Sequence, residues 1–153
     1  MTRIGVISDT HGLLRPGALA FLQGCDRIVH AGDICDADVL RALEAIAPVT
    51  AVRGNNDRGA WADVLPVSTR LQVEGVAIYV IHDIAEIDID PVAAGVQVVI
   101  SGHSHKPSMV WRDGVLFLNP GSAGPRRFTL PIALAELRIE GREIVPQSQL
   151  LSN

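Results

Sequence analysis

The sequence predicts a mixed α/β fold in which two packed β-sheets are flanked by helices. The first half of the chain alternates short β-branched runs with amphipathic segments, a pattern typical of strands joined by helices. The second half contains strand-like runs that flank turn dipeptides, which indicates hairpins. A length of 153 residues, of which 48% are hydrophobic, suits a single domain over residues 1–153 with its own core.

Strands and helices are predicted in turn along the first half. Short buried strands are expected at residues 4–7, 28–30 and 49–52 because these runs are apolar and rich in β-branched side chains. One helix covers Pro16–Leu22, with proline in its first turn. A second helix begins at Asp36 or Asp38 and ends before Pro48. The apolar face of this second helix comprises Val39, Leu40, Leu43, Ile46 and Ala47.

The second half is predicted to be mostly strands and turns. Residues 53–66 form a loop, and the pair Glu74-Gly75 then joins strands Ser68–Val73 and Val76–Ile81. A short helical piece at residues 91–94 precedes a buried strand at residues 96–100. Asp113-Gly114 joins strands 109–112 and 115–118, and Glu140-Gly141 joins strands 132–139 and 144–145.

Composition limits the classes of partner. The net charge is −4, and the longest basic run is Arg126-Arg127, which argues against long nucleic acid as the main partner. Aromatic residues make up 4% of the chain, too few for a base-stacking platform. We expect no membrane span and a cytoplasmic location, because no long apolar run and no signal peptide are evident. Cys25 and Cys35 are expected to be reduced thiols.

Candidate metal ligands follow the ends of predicted strands. The segments are Asp9-Thr10-His11-Gly12, Gly32-Asp33, Gly54-Asn55-Asn56-Asp57, His82-Asp83 and Gly102-His103-Ser104-His105. Ligands in open α/β sheets bind beyond the carboxyl ends of strands, so these segments are expected to meet. Glycine before a ligand allows the close approach of another backbone segment. Carboxylate, imidazole and amide donors suit Mn²⁺, Fe²⁺, Zn²⁺, Ni²⁺ or Co²⁺, and two such ions can serve phosphoester hydrolysis.

The ordered motifs resemble those of the calcineurin-like metallophosphoesterase family. The series is Asp-x-His, Gly-Asp, Gly-Asn-x-Asp, His and Gly-His-x-His. Residues 7–12, 102–107 and 119–122 resemble the small bacterial and archaeal phosphodiesterase branch of that family, and the resemblance runs from Ile4 to about Arg127. It implies a four-layer α/β/β/α sandwich, two divalent ions with Mn²⁺ favoured, and small phosphodiesters as substrates. Relatives in this branch often form dimers or larger assemblies, so a homo-oligomer is an open expectation.

The resemblance also implies a role for each ligand. The first ion would be held by Asp9, His11 and His105, and the second by Asn55, His82 and His103, with Asp33 bridging both. A metal-bridging hydroxide would attack phosphorus in line. The catalytic set implied in this way is Asp33, Asn55, Asn56 and His103.

Two positions depart from the family pattern. Asn56 stands where much of the family has histidine, and an amide cannot serve as a general acid near neutral pH. We expect Asn56 to bind substrate by orienting a phosphoryl oxygen. Asp83 stands where the family usually has glycine, and its side chain is expected either to support the ligands or to face solvent.

Several roles remain open at the level of sequence. His30 is either a satisfied polar residue or a support for a ligand, and Asp57 either orients the Asn55-Asn56 turn or caps the next segment. Arg126-Arg127 either contact substrate phosphate or belong to a solvated loop, and Lys106 either lies near the site or is exposed. Cys35 is expected to pack in the core.

The main function predicted is a dinuclear phosphoesterase that favours diesters over monoesters. The alternative is a non-catalytic metal-binding interaction module on the same fold, and the complete set of ligand positions favours the enzyme. A metal-dependent nuclease is disfavoured by the absence of a basic surface patch.

Overall fold

A computed structural model describes residues 1–152 and contains two five-stranded sheets. The first sheet has the order β10-β9-β1-β2-β3. Its strands are β1 (Thr2–Ile7), β2 (Arg27–His30), β3 (Val49–Ala51), β9 (Ala133–Glu140) and β10 (Glu143–Leu150). The strands β1, β2 and β3 are parallel, whereas β9 runs antiparallel to both β1 and β10. The C-terminal ends of β1 to β3 therefore lie at one edge.

The second sheet has the order β4-β5-β6-β8-β7. Its strands are β4 (Ser68–Val73), β5 (Val76–Ile81), β6 (Val98–Ile100), β7 (Ser108–Arg112) and β8 (Val115–Asn119). The strands β5, β6 and β8 are parallel, with β4 and β7 antiparallel at the two edges. The mixed two-sheet architecture predicted from the sequence is confirmed.

Apolar clusters separate the layers. Side chains from both sheets, among them Val6, Val29, Ile78 and Ile100, form one fully buried cluster between them. The helices α1 (Pro16–Leu22) and α2 (Ala37–Glu44) cover the outer face of the first sheet over a second cluster. A third cluster packs the outer face of the second sheet against the segment that contains Ile87 and Ile89.

Some local expectations were wrong. The expected loop at residues 53–66 contains a one-turn helix, α3 (Ala60–Asp63). Residues 91–94 form turns rather than a helix, because Gly95 adopts a φ of 73° and reverses the chain after a single turn. The helix α2 ends at Glu44, before the expected Ile46 and Ala47, although Ala47 is still buried.

Candidate metal centre

The two sheets bring their strand ends to one shared edge, where carboxylate and imidazole side chains converge. Asp9 and His11 follow β1, and Asp33 follows β2, while His82 and His105 follow β5 and β6. The Nε2 atom of His82 lies 3.4 Å from Asp33 Oδ2 and 3.9 Å from Asp9 Oδ1. Residues from different sheets therefore form a single cluster.

The cluster contains two overlapping groups of potential ligands. Asp9, His11 and His105 form one group, and Asp9, Asp33 and His82 form the other, with the ligand atoms of each group within 4.8 Å of one another. His11 Nε2 and His105 Nε2 lie 3.9 Å and 3.5 Å from Asp9 Oδ1. His11 Nε2 is also 3.7 Å from Asp33 Oδ2. Asp33 thus lies between His11 and His82, as a bridging ligand would.

Buried polar atoms in the cluster fit a bound cation. Asp9 Oδ1 and His11 Nε2 have no hydrogen-bond partner within the described residues 1–152. The other oxygen of Asp9, Oδ2, accepts from Ser8 Oγ at 2.7 Å and from the His103 amide at 3.0 Å. A buried polar atom without a partner costs free energy, and a metal ion would remove that cost.

The orientation of His82 also fits a bound cation. Its Nδ1 lies 2.7 Å from the Ala31 carbonyl oxygen, which can only accept, so Nδ1 carries the proton. In the neutral ring, Nε2 then presents a lone pair to Asn55 Oδ1 at 3.0 Å. Two acceptors at this distance repel each other unless a proton or a cation neutralises them. A backbone carbonyl that fixes the tautomer in this way is typical of metal-binding histidines.

The backbone around the cluster is strained. Residues with left-handed φ values of 46–69° are Asp9, His11, Asp33, Cys35, His103 and His105. Such conformations are costly for residues other than glycine and concentrate at functional sites. The glycines before ligands allow close approach, as expected: a Cβ on Gly54 would overlap the backbone nitrogen of Asp33, and one on Gly102 would overlap Ser8.

Asp57 organises the loops that carry the ligands. This carboxylate is 5% exposed and accepts backbone hydrogen bonds from Asp33 (3.0 Å), Gly54 (2.8 Å) and Cys35 (2.7 Å). It therefore ties the loop after β2 to the loop after β3. Of the two roles open for Asp57, the structure supports orientation of the turn. Its position two residues after Asn55 was the only sequence signal for this role.

Asn56 and Asp83, the two residues that depart from the family pattern, both lie close to candidate ligand residues. The backbone amide of Asn56 donates to Asp33 Oδ1 at 2.9 Å, and its side-chain Nδ2 donates to Asp33 Oδ2 at 3.0 Å. Asp83 Oδ2 lies 3.8 Å from Nε2 of His103, and its Oδ1 accepts from the Ala85 amide. The His103 side chain is 46% exposed and lies at the rim rather than inside either ligand group.

Two neighbouring residues support the ligands. His30 is fully buried, accepts from the Gly32 amide at Nδ1 and therefore donates from Nε2 to Thr10 Oγ1 at 3.0 Å. Burial lowers the pKa of His30 to about 3, so it is a neutral link between the loops after β1 and β2. Cys35, expected in the core, instead lies with Sγ 3.6 Å from His11 Nδ1. Its spacing from Asp33 could have suggested this contact.

The remaining basic candidates are exposed. Arg126 and Arg127 lie on a loop that begins at Gly124, which is packed against the backbone of Asp9 and Thr10. Lys106 is also exposed. These side chains are near the cluster in the fold but outside its ligand groups.

The electrostatics of the cluster favour the ionised form of Asp33 and the neutral form of His105, but not of every donor. Burial opposes the charged form of His82, yet Asp33 and Asp9 outweigh it and raise the pKa of His82. Burial opposes the ionisation of Asp33, but the nearby His82 ring and the hydrogen bonds from Asn56 outweigh it and hold the pKa of Asp33 well below its ordinary value. Burial raises the pKa of Asp9 despite the hydrogen bond from Ser8. Burial also lowers the pKa of His105 against the attraction of Asp9. A neutral imidazole beside an ionised carboxylate is the form that binds a divalent ion.

An open cleft of about 380 Å³ adjoins the cluster. Its lining includes Asn55, His82, His103, Arg53 and Val67. This volume is within the range of small-molecule sites. A small substrate could therefore reach the ligands from this side.

Within residues 1–152, no helix is both long and apolar enough to cross a membrane.

The fold and the cluster together define a class of α/β proteins in which candidate metal ligands lie at the strand ends of two packed sheets. The chain belongs to the calcineurin-like phosphoesterase superfamily, whose domain model matches residues 2–142. The family predicted from the motifs is therefore confirmed.

Individual relatives agree with this assignment. A probable metallophosphoesterase of Methanothermobacter thermautotrophicus is 33% identical, and the match covers 92% of this chain and 88% of that protein. The solved structure of an archaeal phosphodiesterase has a TM-score of 0.77 and 22% identity, and the match covers 98% of this chain and 100% of that one. Vps29 from Entamoeba histolytica in complex with Zn²⁺ has a TM-score of 0.78 and 21% identity, with 98% of both chains covered. At these identities the two structural matches establish a shared fold.

Proposed function

We propose that this protein hydrolyses small phosphodiesters at a centre of two divalent metal ions, with Mn²⁺ preferred. The observation that carries the proposal is the convergence of Asp9, His11, Asp33, His82 and His105, with two buried ligand atoms left without hydrogen-bond partners among residues 1–152. Membership of the phosphoesterase superfamily supports the reaction class.

The residues divide into two ligand sets that share Asp33. In our proposal Asp9, His11 and His105 hold one ion, and Asn55, His82 and His103 hold the other. Bound divalent ions supply positive charge to phosphoryl oxygens and lower the pKa of water, so that hydroxide is available near neutral pH. The carbonyl of Ala31 and the hydroxyl of Ser8 orient His82 and Asp9 for this task.

Asn56 is proposed to orient the substrate. Its side-chain nitrogen carries two hydrogens, and only one is needed for the hydrogen bond to Asp33 Oδ2. The second hydrogen can be donated to a phosphoryl oxygen because Asn56 is exposed at the edge of the cluster. An amide gives no proton to the leaving group, so we expect faster hydrolysis of esters with acidic leaving alcohols.

The first test is hydrolysis of bis-p-nitrophenyl phosphate by chelator-treated protein, with and without added Mn²⁺. We expect activity to return with metal and to fall more than about 100-fold in Asp33→Ala, beyond the 10–100-fold typical of residues that only support ligands. The matched control is Asp38→Ala, which removes a carboxylate that is 73% exposed on α2. p-Nitrophenyl phosphate measured in parallel tests the preference for diesters.

The same experiment addresses the alternative of a non-catalytic interaction module. Two bound metal equivalents without hydrolysis of either ester would contradict the enzymatic proposal and favour that module. Equal activity of Asp33→Ala and the parent protein would contradict the proposed ligand set even if hydrolysis depended on metal.

A further inference from the structure

A second hollow lies on the outer face of the second sheet, behind the loop that carries His103 and His105. We call it the β7–β8 pocket, and its lining includes Ser101, Ser104, Lys106, Ser108, Arg112 and Phe117. Its volume is about 440 Å³, which is similar to that of the cleft beside the candidate metal centre. The proposed hydrolysis does not use this pocket.

The charge of the β7–β8 pocket favours an anion. Lys106 and Arg112 are the ionisable residues that line it. The cleft beside the metal centre differs, because Asp83 and Glu86 line that cleft together with Arg53. Lys106 is the only lysine of a chain with a net charge of −4. A local pair of cations on an acidic protein attracts small anions to this face.

Hydroxyl and apolar groups complete the lining. Ser101 lines the pocket although it is only 7% exposed, and Ser108 lies at the start of the edge strand β7. Val110 and Phe117 add an apolar wall, and the Arg112 guanidinium lies 5.2 Å from the centre of the Phe117 ring. Hydroxyl donors with two cations suit phosphate or carboxylate oxygens, and the wall suits a compact apolar body.

The β7–β8 pocket and the cleft beside the candidate metal centre are lined by neighbouring residues of one loop. His103 lines the cleft, whereas the next residue, Ser104, lines the pocket. The Ser104 hydroxyl accepts from Asn119 Nδ2 at 3.1 Å and from the Lys106 amide at 3.2 Å. A ligand held by Ser104 and Lys106 would therefore contact the loop between the candidate ligands His103 and His105.

We propose that the β7–β8 pocket is a second binding site, for a small organic anion that carries a phosphate, phosphonate or carboxylate group on a compact apolar body. The ligand is held by Lys106 and Arg112 through its anionic group and by Phe117 through its apolar part. Binding at this site does not require hydrolysis, so its failure and the failure of the proposed function are separate results.

The test is isothermal titration of chelator-treated protein with phenylphosphonate, which combines an anion with an apolar ring and is not hydrolysed. Chelation removes metal-dependent binding at the catalytic cleft. We expect one binding site in the parent protein and about tenfold weaker binding in Lys106→Gln and in Arg112→Gln, equivalent to the loss of one charge-assisted contact. Both side chains are exposed, so the variants are expected to fold.

Two further variants make the result decisive. Arg142→Gln removes the same charge from the exposed turn between β9 and β10 and is expected to bind as tightly as the parent. Ser108→Trp fills the pocket from its exposed edge and is expected to abolish binding. Absence of binding to the parent protein, or equal affinity in Lys106→Gln, Arg112→Gln and Arg142→Gln, would overturn the proposal.

Discussion

Replacement of Asp57 by alanine is expected to destabilise the protein more than any other single carboxylate change outside the ligand sets. Asp57 accepts three backbone hydrogen bonds that join the loops after β2 and β3. The amides of Asp33 and Gly54 are buried, so neither can exchange its lost acceptor for bulk water. Each buried donor left without a partner costs about 1–3 kcal/mol.

The expected total for Asp57→Ala is about 3–5 kcal/mol of unfolding free energy, because two amides are buried and that of Cys35 is only partly so. Asp57→Asn keeps the shape and one acceptor oxygen, and we expect about 2 kcal/mol. Asp63→Ala is the control, since this nearby carboxylate is 73% exposed and its ion pair with Arg53 spans 3.9 Å. A surface pair of this kind contributes about 0–1 kcal/mol.

The assay is equilibrium unfolding in urea, followed by tryptophan fluorescence. The midpoint should fall in Asp57→Ala while the slope remains constant, because the surface exposed on unfolding is unchanged. Mn²⁺ affinity is measured on the same variants. It should be highest in Asp63→Ala, lower in Asp57→Asn and lowest in Asp57→Ala. If Asp57→Ala lost less than about 1 kcal/mol, or if it bound Mn²⁺ like the parent, the assigned role of Asp57 would be refuted.

Three further predictions concern close approach, acid sensitivity and metal. Gly54→Ala places a Cβ against the backbone of Asp33, so we expect it to lower the unfolding free energy by about 1–3 kcal/mol and to reduce metal-dependent activity. In Gly17→Ala the new Cβ meets its nearest atom at 3.4 Å, and the change should stabilise α1 by up to about 1 kcal/mol. Equal stability of the two variants in urea would contradict this prediction. Burial opposes ionisation of Glu136, but hydrogen bonds from Arg138 and Arg3 outweigh it and lower its pKa. The contribution of Glu136 to stability is therefore present above the ordinary pKa of 4.5 and is lost as the pH falls through the lower pKa of the folded state. In thermal scans, the difference in melting temperature between the parent and Glu136→Gln should shrink on acidification. A difference that is constant with pH would exclude ionised Glu136 as its cause. Mn²⁺ at about 100 times its dissociation constant should stabilise the parent by about 2.7 kcal/mol for each ion bound and stabilise Asp33→Ala much less, a difference that is read from the melting temperature.

Much of the secondary structure could be predicted because its causes are local. The pair Asp113-Gly114 adopts the positive φ values that a tight turn requires, and it joins β7 to β8 as expected. The strand order could not be predicted in the same way. The strand β9 lies beside β1, so residues such as Gly5 and Glu136 pair although most of the chain separates them. Such pairing depends on how the whole core closes, to which a local run of residues contributes little.

The placement of the candidate site followed from strand ends, but its supporting contacts did not. Residue types at the ends of β1, β2, β5 and β6 were enough to predict a cluster at one edge. The contact of Cys35 with His11 and that of Asp83 with His103 depend on left-handed backbone at Cys35 and His103. Asp and His adopt left-handed φ more often than most residues other than glycine, but their presence alone does not mark which positions do so, and cysteine carries no such signal.

The sequence by itself determined the fold class, the superfamily motifs and the donor types of the candidate metal centre, because strand periodicity and ligand chemistry are properties of short segments. Only the tertiary structure decided which atom of each donor faces the centre. Ser8 and the His103 amide occupy one oxygen of Asp9 and leave the other without a partner, and Ala31 fixes the tautomer of His82. The contacts of His103 with Asp9 and of Ala31 with His82 join segments that follow strands of different sheets, so they exist only once the two sheets have packed together.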